Sequence, residues 1–149
     1  MQQHPPEFAE LERRLGHDWQ DCSLLREALT HSSYGNANSV PHNERLEFLG
    51  DSVLDLVSAE WLMAEYPAKR EGFMSQRRSE LVRTCALAER ARALGVGEAL
   101  LVGHGSDYIR GVESVLADAM EAVVGALYRD CGSIAVVREC VLRWGILHV

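Results

Sequence analysis

A chain of 149 residues fits one ordinary domain and is long enough to bury a core without disulfide staples or a structural metal. Its composition, 47% hydrophobic and 25% charged with only four prolines, excludes a disordered or low-complexity chain. Fifteen Lys and Arg against twenty-two Asp and Glu leave a net charge of −7, which speaks against nucleic acid as a partner unless bound divalent cations neutralise some of the acids.

The amino terminus, Met1 to Glu10, lacks a basic stretch followed by an apolar run, and no segment approaches the roughly 18 apolar residues of a membrane span. An unexported, cytoplasmic protein without a membrane partner is expected. Cys22, Cys85, Cys131 and Cys140 form neither a CxxC pair nor a zinc-finger spacing, so they read as reduced, mostly buried thiols.

Apolar residues recur at three- and four-residue intervals and β-branched alternation is absent, which predicts an all-α single domain over 1–149. The first helix runs from about Pro6 to Leu15 and stops at Gly16; the second runs from about Asp21 to Leu29, with Leu24, Leu25 and Ala28 facing inward. His31 to His42 reads as a polar loop. A long third helix starts at Asn43, a good N-cap, and reaches about Glu65, where Pro67 forbids extension. A fourth covers about Phe73 to Val82, and a fifth about Leu87 to Leu94, closed by Gly95. Gly95 to Gly111 is mostly loop, and Gly103-His104-Gly105 is too common a pattern to be a phosphate cradle. The sixth helix, about Val112 to Arg129, is apolar on nearly every face and therefore central; after Cys131-Gly132 a last helix spans Ser133 to about Trp144.

On the third helix Glu44, Glu47 and Asp51 stand three and four residues apart, so their side chains share one stripe. Taken alone, such a stripe is the solvated face of a surface helix. The flanking Leu46, Phe48, Leu49, Val53 and Leu54 leave little of the helix polar, however, and Gly50 signals close approach by another helix at the expense of helix propensity. On the apolar sixth helix, Asp118 and Glu121 are one turn apart with no Lys or Arg one turn away to pair with. Bare carboxylates are expensive to bury, so these are paired, protonated or metal-bound. Two helices presenting acids at one-turn spacing suit an all-oxygen site for Mg²⁺ or Mn²⁺. A di-iron bundle would want Glu-x-x-His, which is missing at both helices, and His17-Asp18 has no partner histidine pattern to make it a ligand pair.

The segment Asn43-Glu44-Arg45-Leu46-Glu47-Phe48-Leu49-Gly50-Asp51-Ser52 resembles, at every position, the signature of the ribonuclease III family. The likeness extends through Leu29-Thr30-His31-Ser32, Met74-Ser75 with Arg78 and Leu81-Val82, and Leu116-Ala117-Asp118 with Glu121-Ala122. The resemblance implies that Glu47, Asp51, Asp118 and Glu121 are catalytic metal ligands for Mg²⁺, with Mn²⁺ as a substitute, and that Glu44 supports the site or contacts RNA. It implies hydrolysis of double-stranded RNA by a metal-activated water, leaving 5′-phosphate and 3′-hydroxyl ends with short 3′ overhangs. It further implies a homodimer in which Phe48 packs into the partner subunit, and duplex recognition by A-form shape. Arg77, Arg78 and Arg83, with Lys69 and Arg70, are candidate phosphate contacts, Arg78 with the support of the family motif.

Three departures from the family stand out. The chain ends at Val149 without the usual C-terminal double-stranded-RNA-binding domain; truncation is the expected reason, and weak, salt-sensitive RNA affinity the expected result. Ala86 occupies a position where a capping Ser or Thr is usual, with Thr84 as a substitute cap, and Ser106 stands where Glu is usual. The competing reading is a catalytically silent ribonuclease III-like module for dimerisation or RNA binding. Such a module would be expected to lack ligand acids that are all present here.

Overall fold

A computed structural model describes residues 5–149, so the expectation of no leader falls partly on residues 1–4, outside the described residues. The elements are α1 Pro6–Leu15, α2 Cys22–Ala28, α3 Ser32–Asn38, α4 Glu44–Glu65, α5 Glu71–Val82, α6 Thr84–Leu94, the short α7 Val96–Ala99, a 3-10 turn over Asp107–Gly111, α8 Glu113–Cys131 and α9 Ile134–Arg143. The described chain is all-α, with one isolated parallel bridge between Thr30 and Leu101.

The apolar sixth segment of the sequence is α8, and it occupies the middle of the molecule. Leu116, Ala117, Ala119, Met120 and the unbroken run from Ala122 to Leu127 are buried. α4, α6 and α2 pack most closely against it, followed by α9 and α7. Each large side chain buried there contributes about 1.5–3 kcal/mol relative to exposure. Among the described residues no helix is long and apolar enough to cross a membrane.

Helix ends follow local chemistry. Gly16, Gly95 and Gly132 close α1, α6 and α8 in the left-handed conformation, at φ of 67°, 83° and 62°. Asp21 caps α2 by accepting from the Ser23 N–H, and Ser133 caps α9 by accepting from the Val136 N–H.

Four expectations are corrected. The supposed loop from His31 to His42 contains α3, although its Ser, Gly and Asn residues are poor helix formers. Tertiary contacts stabilise it: His31 caps its start, and buried Gly35 lies so near His42 that a Cβ would stand 2.8 Å from the histidine Cβ. Asn43 is buried and makes no side-chain cap for α4; its backbone N–H instead donates to the Thr30 carbonyl at 2.9 Å. Neither Ala86 nor Thr84 caps α6, since the helix already begins at Thr84 and Arg83 is the uncapped flanking residue. Finally, all four cysteines are free, but only Cys140 is buried; Cys22 and Cys85 are exposed.

Candidate active site

The crossing of α4 and α8 builds the site, and two glycines make it possible. A Cβ on Gly50 would lie 1.7 Å from the Glu121 carbonyl oxygen, and one on Gly125 would lie 2.2 Å from the Leu46 carbonyl oxygen. Any side chain at either position would push the helices apart. The tightest contact is at Glu121 itself, next to Asp51, so the same close approach that packs the core brings acids of two helices together. Gly50 carries this signal in the sequence, whereas Gly125, inside an apolar run, passes for an ordinary small core residue.

All four acids singled out by the sequence meet here. They associate in two hydrogen-bonded pairs, Glu47 with Asp118 and Glu121 with Asp51. Burial, then the charges of Asp51, Glu47 and Asp118, and finally the hydrogen bond to Asp51 push the Glu121 carboxyl up to about 8. Glu47 is raised by burial first and by Asp118 next, and Asp118 is raised by burial despite the opposing pull of Glu47 and His31. Among the described residues no three acidic, histidine or cysteine side chains close round a single point as a finished ligand sphere. The donor set is nonetheless four carboxyl groups with no Lys or Arg paired to them among the described residues, which fits a hard divalent ion.

Asp55, one turn beyond Asp51, extends the acidic stripe and is raised by burial and by Asp51, while Arg78 pulls it back. The sequence reading passed over Asp55, although its spacing from Asp51 was the available signal. Its coupling to Arg78 puts that arginine of α5 at the edge of the acidic site. Arg77 points elsewhere, pairing with Glu80 at 3.2 Å and donating to the His148 carbonyl at 2.8 Å. Lys69 sits over the Phe73 ring, 4.9 Å from its centroid.

A cleft of about 370 Å³ opens beside the acids, lined by His31, Asn36, His42, Glu44, Glu47 and Asp118 among others. Glu44 also borders a groove of about 750 Å³ formed with Leu24, Glu27, Leu49 and Arg129 around Phe48. Phe48 is 80% exposed and so takes no part in this chain's own core. Leu56 and Met63 continue an exposed apolar strip along α4.

His17 is structural: its Nε2 hydrogen-bonds Asp130 at 2.8 Å, and no acid of the cluster is involved. The Asp130 side chain is 1% exposed and also accepts from the backbone N–H groups of Gln20 and Asp21, at 3.0 and 2.8 Å. Burial alone would raise this carboxyl, but those three donors outweigh it and hold it below the usual range.

The family model described as Ribonuclease-III-like matches residues 21–147. A protein named Ribonuclease 3 from Ectopseudomonas mendocina is 46% identical over 141 residues, covering 93% of this chain and 59% of that protein, so the chain spans about three-fifths of the length of such relatives. The nuclease domain of ribonuclease III from Campylobacter jejuni superposes with a TM-score of 0.84 at 34% identity, over 94% of each chain. A second structure of that domain, described as showing flexibility in a region involved in dimer formation, gives a TM-score of 0.83 at 36% identity over 91% of this chain and 93% of that one. With its signature helix, its four converging acids and these matches across nearly the whole chain, the protein belongs to the ribonuclease III family.

Proposed function

We propose that residues 1–149 form the catalytic domain of a cytoplasmic endonuclease that cleaves double-stranded RNA, giving 5′-phosphate and 3′-hydroxyl ends with short 3′ overhangs. The observation that carries the proposal is the convergence of Glu47, Asp51, Asp118 and Glu121 at the Gly50–Gly125 crossing. These four residues would hold Mg²⁺, or Mn²⁺ in its place. The cation, once bound, would supply charge neutralisation at the phosphodiester and a lowered pKa for the attacking water.

The chain's own residues do the rest. Burial and mutual repulsion leave the carboxylates without internal cations, so the site favours an incoming divalent ion over a proton as pH rises. Glu44, at the boundary between the acidic cleft and the Phe48 groove, supports the site or contacts RNA. Arg78 meets backbone phosphate at the site's edge, with Arg77 a secondary contact because of its intramolecular partners.

Phe48 is the anchor of a two-fold homodimer, inserted into the partner subunit. The bare aromatic ring and the groove beside it support this reading, because a ring so exposed is unfavourable in a free monomer. Two-fold symmetry repeats the acidic site and sets one site against each strand.

The test is cleavage of a long RNA duplex at low salt, with and without Mg²⁺, by the unaltered chain and by Glu121→Gln. Cation-dependent cutting of duplex but not of single-stranded RNA, abolished in the variant, is expected. A folded, dimeric chain that does not cut even with Mn²⁺ and excess protein would instead be a silent module.

A further inference from the structure

His31 lies where α2 meets α3, in a link tied down on several sides. Its backbone N–H donates to the Leu101 carbonyl at 2.9 Å, the Leu101 N–H donates to the Leu29 carbonyl at 2.8 Å, and the Asn43 N–H donates to the Thr30 carbonyl. The imidazole is therefore carried on a stiff platform joined to the start of α4, where the acidic stripe begins.

The hydrogen bonds of the ring define its tautomer. The Ser33 backbone N–H donates to His31 Nδ1 at 3.1 Å. The Gly103 N–H donates to Ser33 Oγ at 2.9 Å, which leaves that hydroxyl to donate in turn to Nδ1 at 2.8 Å. With Nδ1 an acceptor, the ring proton resides on Nε2. Nε2 has no hydrogen-bond partner among the described residues, and the ring lines the same cleft as Glu47 and Asp118. The cleft holds a second unsatisfied imidazole nitrogen, His42 Nδ1, which is buried and bonded to nothing. Capping alone does not call for histidine at this position, since Asn or Ser would accept from the Ser33 N–H as well or better.

We propose that His31 is a substrate-binding residue whose Nε2–H donates to an RNA backbone oxygen, either a ribose 2′-hydroxyl or a phosphate oxygen, lying in the cleft beside Glu47 and Asp118. The inference rests on the nuclease reading and adds to it a neutral donor beside the acids Glu44, Glu47 and Asp118 of the cleft. A neutral donor suits that place, because it steers an oxygen toward the carboxylate site without pairing with the carboxylates themselves.

The test separates the two edges of the ring. In His31→Asn the side-chain oxygen still accepts from Ser33 and caps α3, but the Nε2 donor is lost; in His31→Gln a donor is restored near the Nε2 position while the cap is weakened. With Mg²⁺ and duplex RNA, His31→Asn is expected to raise KM roughly ten- to hundredfold with an unchanged melting temperature. His31→Gln is expected to recover part of that loss. Duplexes bearing a single 2′-deoxy sugar or a single phosphorothioate near the cut distinguish the two oxygens: the modification that removes the accepting oxygen slows the unaltered chain but not the Asn variant.

Long-range nitrogen–proton spectra of the free protein supply a readout independent of activity, and a proton on Nδ1 would overturn the proposal. So would an Asn variant that cuts like the unaltered chain, or additive effects in both modified duplexes. An unaltered chain that fails to cut at all is a failure of the nuclease reading, visible before any His31 variant is compared, and the inference falls with it.

Discussion

Two parts of α8 treat carboxylates in opposite ways. Asp130, near the helix C-terminus, is enclosed by three donors and held as a low-pKa anion that ties α8 to the segment between α1 and α2. Glu121, nine residues earlier, is half-buried against three other carboxyls and pushed up to about 8. One acid is satisfied by its own chain and stabilises the fold; the other faces the carboxyls of Asp51, Glu47 and Asp118. A buried carboxylate thus marks a functional site only when the protein has withheld its partners.

Replacing each acid by its amide should separate these roles. In Glu121→Gln the shape is kept and a charge is removed from a crowded site, so cleavage is expected to fall by at least about a hundredfold while the melting temperature holds or rises. Loss of both activity and stability together would erase the distinction between the two regions.

Gly50→Ala attacks the geometry that creates the acidic site. Its Cβ cannot coexist with the Glu121 carbonyl oxygen at 1.7 Å, so α4 and α8 must separate. A loss of about 3 kcal/mol or more in denaturant unfolding is expected, together with weakened activation by Mg²⁺. Gly125→Ala should act in the same direction, more mildly, through the Leu46 carbonyl at 2.2 Å.

Asp130→Ala removes the shared acceptor of His17 and of two backbone N–H groups. Unfolding experiments should show a loss of about 1–3 kcal/mol, with cleavage per folded molecule retained. Reduced cutting by fully folded variant would show that the Asp130 contact reaches the active site after all.

The pH dependence of stability should differ in sign between the two regions. Because the folded-state pKa of Asp130 is depressed, its contribution is present above the unfolded value and is lost as acid takes the protein through the folded value, below about pH 4. Because that of Glu121 is raised, its proton-dependent contribution is full below the unfolded value of about 4.3 and disappears as pH rises through about 8. In chelator, the melting temperature of the unaltered chain should therefore fall between pH 5 and 8 relative to Glu121→Gln, and Mg²⁺ should narrow that gap. Parallel melting curves for the two proteins across this range would mean that Glu121 is not the group under strain.

Helix content, the central α8 and the clustering acids could be read from residue order, because spacings of three and four residues, Gly and Pro stops, and unpaired acids in apolar runs are local signals, whereas Phe48 was singled out only by the family resemblance. The segment His31 to His42 was not legible in this way. Its helix is stabilised by Gly35 packing on His42, by the histidine cap and by the tie to Leu101, all contacts made by the fold. The cap expected at Asn43 failed for a related reason: burial and the Thr30 carbonyl determine where that residue sits. Asp130 likewise gave no warning, since its donors come from residues 109 to 113 positions away. The sequence by itself determined which side chains are chemically unusual, because that depends on type and spacing along one helix. Only the tertiary structure decided which of them meet and which nitrogen of His31 is left without a partner, because those outcomes depend on the distance between helices and on donors far away in the chain.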